Sequence, residues 1–275
     1  MSGPRRFEGL VAVVTGAGSG LGRALAHHLA AAGARLALSD VEAGALAGTA
    51  SSVRERGATV RSDVLDVADS AAVLAYADAV ATEFGRVDLV FNNAGVLHVG
   101  DLLGMELADI ERVMNVNFWG VVNGTKAFLP HLIASGRGHL VNVSSLFGLV
   151  PIPTQSAYVA SKYAVRGFTE SLRIEMLVAG HPVSVTCVHP GGINTGIARS
   201  ATRSAVVRSE PHGGRLLRMP PDRAASIILR GVARGRPRVL VGTDAWGVHL
   251  LSRVSSNGWQ HLLAHAYRRN RTSSP

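Results

Sequence analysis

Short apolar runs alternate with longer helical patterns along most of the chain. Leu10 to Thr15 and Val87 to Phe91 are nearly unbroken β-rich runs bounded by glycine or asparagine, as in strands buried on both faces of a parallel sheet. Arg35 to Asp40, Val60 to Val67, Gly138 to Ser145, Val183 to His189 and Arg238 to Val241 read as further strands, about seven in all. Helical periodicity fills the intervals at Arg23 to Ala32, Val41 to Arg54, Asp69 to Phe84, Leu107 to Ser135 and Ser156 to Ala179. Helix following strand, repeated, predicts an α/β fold with a doubly wound parallel sheet and helices on both of its faces. No break in composition divides the 275 residues, so one domain is expected, with a body over 8–243 and an extension over 244–275. In that extension Trp259, Leu262, Leu263, Ala266 and Tyr267 fall on one helical face, followed by Arg268, Arg269 and Arg271. The helix they predict suits docking on the body or a sister subunit, and it also suits peripheral contact with a membrane surface.

In such sheets ligands bind beyond the carboxyl ends of the strands, and those ends carry the candidate chemistry. The first strand leads through Thr15, Gly16, Ala17, Gly18, Ser19, Gly20, Leu21 and Gly22 into a helix. A glycine turn at a helix N-terminus offers backbone N–H groups to a pyrophosphate and no side chains to block it, so the fold reads as Rossmann-like. Asp40 ends the second strand about 20 residues on, where dinucleotide folds place the ribose-binding carboxylate. That acid suggests NAD over NADP, and Arg23 and Arg35 are the basic residues able to soften the preference. Asp40 equally fits the N-cap of the helix that follows.

Ser145, Tyr158 and Lys162 are the candidate reactive trio. Tyr158 and Lys162 lie one turn apart on the same helical face, and Ser145 sits at the tip of the strand facing that helix. A free phenol, with a pKa of about 10, is a poor base at neutral pH. An adjacent ammonium, joined by a positively charged nicotinamide ring, favours the phenolate. Tyr158 can then take a proton from an alcohol while a hydride leaves, and Ser145 can hold the substrate oxygen. Leu146, Phe147, Leu149, Val150, Ile152 and Pro153 lie between these groups and are expected to wall the reacting carbon. Asn117, a polar amide among Val116, Phe118 and Trp119, needs a partner.

Composition narrows the setting. Cys187 is the only cysteine, which excludes an internal disulfide and fits a reducing, cytoplasmic compartment. The apolar run after Arg5 and Arg6 is too short for an export signal. His261 and His265 have helical spacing but lack a third ligand, so no metal is expected. Ten arginines between Arg199 and Arg238 stand against Glu210 and Asp222 and carry most of the formal net charge of +9. Without interleaved aromatics or a recognisable module they do not indicate nucleic acid. They suit an anionic group on the substrate, while Arg223, Arg230 and Arg234 also recur at the spacing of a solvated helix face.

Taken in order, these motifs strongly resemble the short-chain dehydrogenase/reductase family over about residues 8 to 243. The resemblance rests on the loop from Thr15 to Gly22, on Asn92, Asn93, Ala94 and Gly95, on Asn117, on Ser145 with Tyr158 and Lys162, and on Pro190, Gly191 and Thr195. It implies an oxidoreductase acting on a small-molecule substrate with NAD, and a homodimer or homotetramer. It implies a catalytic tetrad in which Asn117 holds a water that links Lys162 to solvent. It implies cofactor contacts from Gly16, Ser19, Gly20, Leu21, Gly22 and Asp40, and from Tyr158 and Lys162, the latter to the nicotinamide ribose. Asp66 and Val67 would meet adenine, Asn93, Ala94 and Gly95 the adenosine side, and Pro190, Gly191, Ile193 and Thr195 the nicotinamide. It also implies a substrate lid over 196–220. The alternative is a protein of the same fold that senses the dinucleotide without turnover.

Overall fold

The computed structural model describes residues 7–198, 200–204 and 219–243, with positions 245, 247, 260, 264 and 265. Strands β1 (Val11–Thr15), β2 (Arg35–Asp40), β3 (Val60–Val64) and β4 (Leu89–Asn92) alternate with helices α1 (Gly20–Ala31), α2 (Ala43–Arg54) and α3 (Ser70–Phe84). After β4 come β5 (His98–Val99), α4 (Leu107–Met114), α5 (Gly120–Ala134), β6 (Gly138–Val143), α6 (Ser156–Val178) and β7 (Val183–Pro190). β8 (Thr202–Arg203), α7 (Pro221–Ala233) and β9 (Arg238–Val241) follow. The main sheet is wholly parallel and seven-stranded, in the order β3-β2-β1-β4-β6-β7-β9. Strand order reverses between β1 and β4, which opens a crevice beyond Thr15 and Asn92 at the carboxyl edge.

Each face of the sheet buries its own core. Leu25, Leu29, Leu36, Phe91 and Ile228 lie in one cluster, Phe128, Leu132, Leu140 and Leu172 in the other. Phe128 meets Tyr76 edge-on with ring centroids 5.9 Å apart, which joins α5 to α3. Burial on both faces explains why β1 and β4 read as near-continuous apolar runs.

Three boundaries differ from the periodicity. β3 stops at Val64, three residues before Val67, because Asp66 Oδ1 accepts the Ala68 N–H at 2.9 Å and turns the chain out of the sheet. The helix expected from Leu107 to Ser135 is divided by a π-helical turn at Asn115–Trp119. A π-turn adds one residue per turn without changing hydrophobicity, so the apolar pattern gives no sign of it. β5 and β8 form a separate two-stranded parallel sheet, too short for any periodic signal.

Candidate active site

The glycine turn is built so that backbones meet. A Cβ on Gly22 would lie 2.0 Å from the Gly16 carbonyl oxygen, and one on Gly16, at φ 66°, would lie 2.8 Å from Ala94 Cα. Thr15 Oγ1 accepts the N–H groups of Asn93 at 3.0 Å and Ala94 at 3.1 Å, which locks the exit of β4 beside this turn. Asn93 Nδ2 donates to the carbonyls of Thr15 at 2.9 Å and Gly16 at 3.3 Å, so its side chain supports the turn. Ser19 is the N-cap of α1 and makes no side-chain capping bond, leaving first-turn N–H groups for a ligand. Thr195 rides over the turn: a Cβ on Gly20 would lie 3.0 Å from Thr195 Cβ. Pro190 closes β7 against Val241, the Gly191 N–H donates to the Val241 carbonyl at 2.8 Å, and Ile193 is buried, which fixes that loop from below.

Asp40 faces the turn. One carboxylate oxygen accepts the Gly18 N–H at 2.8 Å and the other accepts the Glu42 N–H at 3.0 Å. The N-cap of α2 is Glu42, so the capping role considered for Asp40 is replaced by a two-residue turn before the helix. A carboxylate has about four acceptor sites, so capacity remains for hydroxyl donors. Arg23 is committed to the Gly18 carbonyl and, at 3.0 Å, to Thr49 Oγ1. Arg35 starts β2 at the opposite edge of the sheet, its guanidinium 5.5 Å from the Phe84 ring centroid, and plays no part at Asp40. Asp66 is exposed at the end of its turn, and Val67 is buried, its carbonyl held by Asn123 Nδ2 at 3.0 Å.

Ser145, Tyr158, Lys162 and Asn117 come together beyond β4 and β6. Lys162 is buried on α6 and donates to the Val143 carbonyl at 3.0 Å, with Nζ 5.7 Å from the Tyr158 ring centroid. Burial lowers its ammonium to a pKa of about 8, opposed by the Cys187 thiol. Tyr158 is half-buried, and burial pushes its phenol above the ordinary value while a hydrogen bond with the Ser145 side chain pulls it down. In the protein by itself the net direction is therefore opposite to the phenolate expectation: desolvation outweighs the partners.

Asn117 stands in the π-turn and is fully buried. Its Oδ1 accepts the Val96 N–H at 2.8 Å, and Nδ2 donates to the Val96 carbonyl at 3.0 Å and to Ser161 Oγ at 3.1 Å. Ser161 Oγ donates in turn to the Tyr158 carbonyl at 2.7 Å. Both amide hydrogens are engaged, so any water relay uses the second lone pair of Oδ1 or the main chain.

Several supports join segments distant in sequence. His189 Nδ1 lies 3.0 Å from the Ser145 carbonyl, which fixes the Nδ1–H tautomer, and burial holds the ring neutral with a pKa of about 4. Behind the trio Asn92 Nδ2 donates to Asn142 Oδ1 at 2.9 Å, and Asn142 Nδ2 donates to Thr169 Oγ1 at 3.0 Å, joining β4, β6 and α6. The wall expected over 146–153 divides. Leu146 and Val150 pack with Ala245 of the extension, and Phe147, lying against that cluster, also meets Tyr158 edge-on at 6.5 Å.

The arginine stretch divides too. Arg223 and Arg230 on α7 and Arg234 at its C-cap are exposed, which matches the solvated-face reading, whereas Arg238 on β9 is half-buried and pairs with Glu170. Arg199, Arg208, Arg215 and Arg218 lie outside the described residues, as do most of the stretch 196–220 expected as a lid and Trp259, Leu262, Leu263, Ala266 and Tyr267, expected on one helix. Among the described residues no cluster of His, Cys, Asp and Glu suits a metal, and no helix is long and apolar enough to cross a membrane.

A family model described as short chain dehydrogenase matches residues 10–205. SadH of Mycobacterium tuberculosis, named as an oxidoreductase, is 56% identical over 262 residues, covering 94% of this chain and 95% of that protein. A short chain dehydrogenase/reductase from Burkholderia phymatum, solved in complex with NAD, superposes with a TM-score of 0.83 at 35% identity, covering 90% of this chain and 94% of the other. A metagenomic short-chain oxidoreductase in complex with NADP gives a TM-score of 0.71 at 32% identity, covering 86% and 98%.

Proposed function

The chain belongs to the short-chain dehydrogenase/reductase family, and from that premise we propose that it is an NAD-dependent oxidoreductase interconverting an alcohol with a ketone or aldehyde on a mainly apolar small molecule. The observation that carries the reading is the convergence of Ser145, Tyr158 and Lys162 on a strand end and a helix, with Asn117 behind them.

The glycine cradle, which added Cβ atoms would fill, and the unbonded cap at Ser19 suit a pyrophosphate. Gly16, Ser19, Gly20, Leu21 and Gly22 would hold it, Asp40 the adenosine ribose, and Asp66 and Val67 the adenine. Asn93, Ala94 and Gly95 would line the adenosine side, Lys162 the nicotinamide ribose, and Pro190, Gly191, Ile193 and Thr195 the nicotinamide. The bound dinucleotide supplies the hydride acceptor or donor.

Tyr158 Oη removes the proton from the substrate hydroxyl, or returns it in reduction, as general acid/base. Ser145 Oγ, oriented by the Phe147 N–H that it accepts at 3.1 Å, keeps the substrate oxygen beside that phenol. The Lys162 charge, together with the positive nicotinamide ring, offsets the desolvation that raises the phenol. Phe147 presents an apolar edge next to Tyr158. NAD is preferred over NADP because the Asp40 carboxylate, oriented by Gly18, accepts from ribose hydroxyls and repels a 2′-phosphate. Homodimeric or homotetrameric assembly and a cytoplasmic setting complete the reading.

The test is absorbance at 340 nm (NADH formation) with NAD and a panel of secondary alcohols. Steady reduction is expected; tight NAD binding without turnover across the panel would make the protein a sensor instead.

A further inference from the structure

The segment from Val96 to Gly100 is tied to the site at both ends. Asn117 holds Val96 through its N–H and its carbonyl. At the other end the Gly100 N–H donates at 2.9 Å to the carbonyl of Thr154, in the loop between Ser145 and Tyr158. Thr154, at φ 66°, is the one non-glycine residue with positive φ among the described residues, so the loop accepts local strain where it takes this bond. Between these ends the segment carries β8. The N–H of Thr202 donates to the Leu97 carbonyl at 3.2 Å and that of Ser204 to the Val99 carbonyl at 3.1 Å.

A parallel pair of two-residue strands has too few backbone bonds to persist unaided. His98 supplies the remaining contacts. Its ring is 1% exposed, with Nδ1 2.9 Å from Thr202 Oγ1 and 3.2 Å from Asp109 Oδ1, and Nε2 3.0 Å from Ser204 Oγ. Arg112 also donates to Thr202 Oγ1. Packing is equally close: a Cβ on Gly100 would lie 2.1 Å from Ser204 Oγ. Both nitrogens of one buried imidazole thus grip both hydroxyls of the partner segment.

We propose that His98 is a positioning residue that pins residues 200–204, the chain leaving the Thr195 loop, to the 96–100 strap. Because the strap ends on Asn117 and Thr154 and packs Val96 beside Tyr158, the pin sets where residues 200–204 stand relative to that phenol. The inference rests on the oxidoreductase reading only for its kinetic consequence. Without the pin, the proton-transfer groups and the glycine cradle are untouched, and the strap with residues 200–204 no longer stands fixed beside Tyr158.

The experiment compares wild type with His98→Ala and His98→Asn by amide hydrogen exchange and by kinetics with NAD and cyclohexanol. In His98→Ala, exchange at the Thr202 and Ser204 amides should rise at least about tenfold. KM for cyclohexanol should rise by about tenfold, with kcat within about twofold and the Kd for NAD unchanged. His98→Asn, able to reach one hydroxyl, should fall between. If His98→Ala does not fold, Thr202→Val combined with Ser204→Ala removes the same bonds from the other strand and is read in the same way. Unchanged exchange at these amides in a folded variant overturns the proposal, as does a fall in kcat at constant KM. If wild type turns over no alcohol, the oxidoreductase reading fails and the exchange measurement alone decides the pin.

Discussion

Asn117 holds the peptide of Val96 from both sides, accepting its N–H at 2.8 Å and donating to its carbonyl at 3.0 Å. A single carboxamide therefore stands in for a β-ladder partner where the chain leaves β4, and passes a third bond to Ser161 on α6. Asn117→Leu leaves buried backbone groups unpaired, each costing about 1–3 kcal/mol. Urea unfolding should show a loss of about 2–4 kcal/mol, with turnover reduced in the fraction that remains folded. Unchanged stability would mean that Val96 finds other partners.

Asp40→Asn tests cofactor choice. The amide oxygen can still accept the Gly18 N–H, but the charge facing a 2′-phosphate is gone. Wild type should favour NAD by at least tenfold in kcat/KM, about 1.4 kcal/mol, and the variant should lose most of that ratio. Because Arg23 is committed to Gly18 and Thr49, Arg23→Met should not by itself restore the ratio. A wild-type ratio near unity, measured at matched low concentrations, would remove Asp40 from the discrimination.

Lys162 makes a stability prediction that follows from its burial. Its folded-state pKa, about 8, lies below the ordinary 10.5, so folding carries the full cost of burying the ammonium below pH 8, where both states are protonated, and that cost shrinks between about 8 and 10.5 as the folded protein loses the proton first. Lys162→Met removes that penalty, about 3 kcal/mol at most, but leaves the Val143 carbonyl unpaired at a cost of about 1–2 kcal/mol. The variant should be inactive and, below pH 8, at least as stable as wild type; its relative advantage should decline as pH rises from about 8 towards 10.5. An advantage that does not change with pH would show that the ammonium is not desolvated.

The parts of the site legible in sequence are those set by local geometry. Tyr158 and Lys162 share a face because a helix repeats every turn, and the glycines stand where backbone must touch backbone. Arg35 misled because its separation from Asp40 along β2 spans the sheet: residues at opposite ends of a strand face opposite edges. Groups that act across elements left no pattern. The π-turn that turns Asn117 towards Val96, the His189 bond to the Ser145 carbonyl and the His98 grip on β8 each depend on contacts between distant segments. The pull of Lys162 on the phenol is legible from spacing, whereas the desolvation that opposes it depends on everything packed around Tyr158.

The central claim is that Tyr158 moves the substrate proton in a site that binds NAD independently of it. The most direct measurement pairs NAD binding, followed by tryptophan fluorescence, with alcohol-dependent absorbance at 340 nm for wild type and Tyr158→Phe. Tyr158→Phe should bind NAD with an unchanged Kd and lose turnover by at least about 100-fold, the scale of general acid–base catalysis. Turnover retained within a few fold in a variant that still binds NAD would contradict the account.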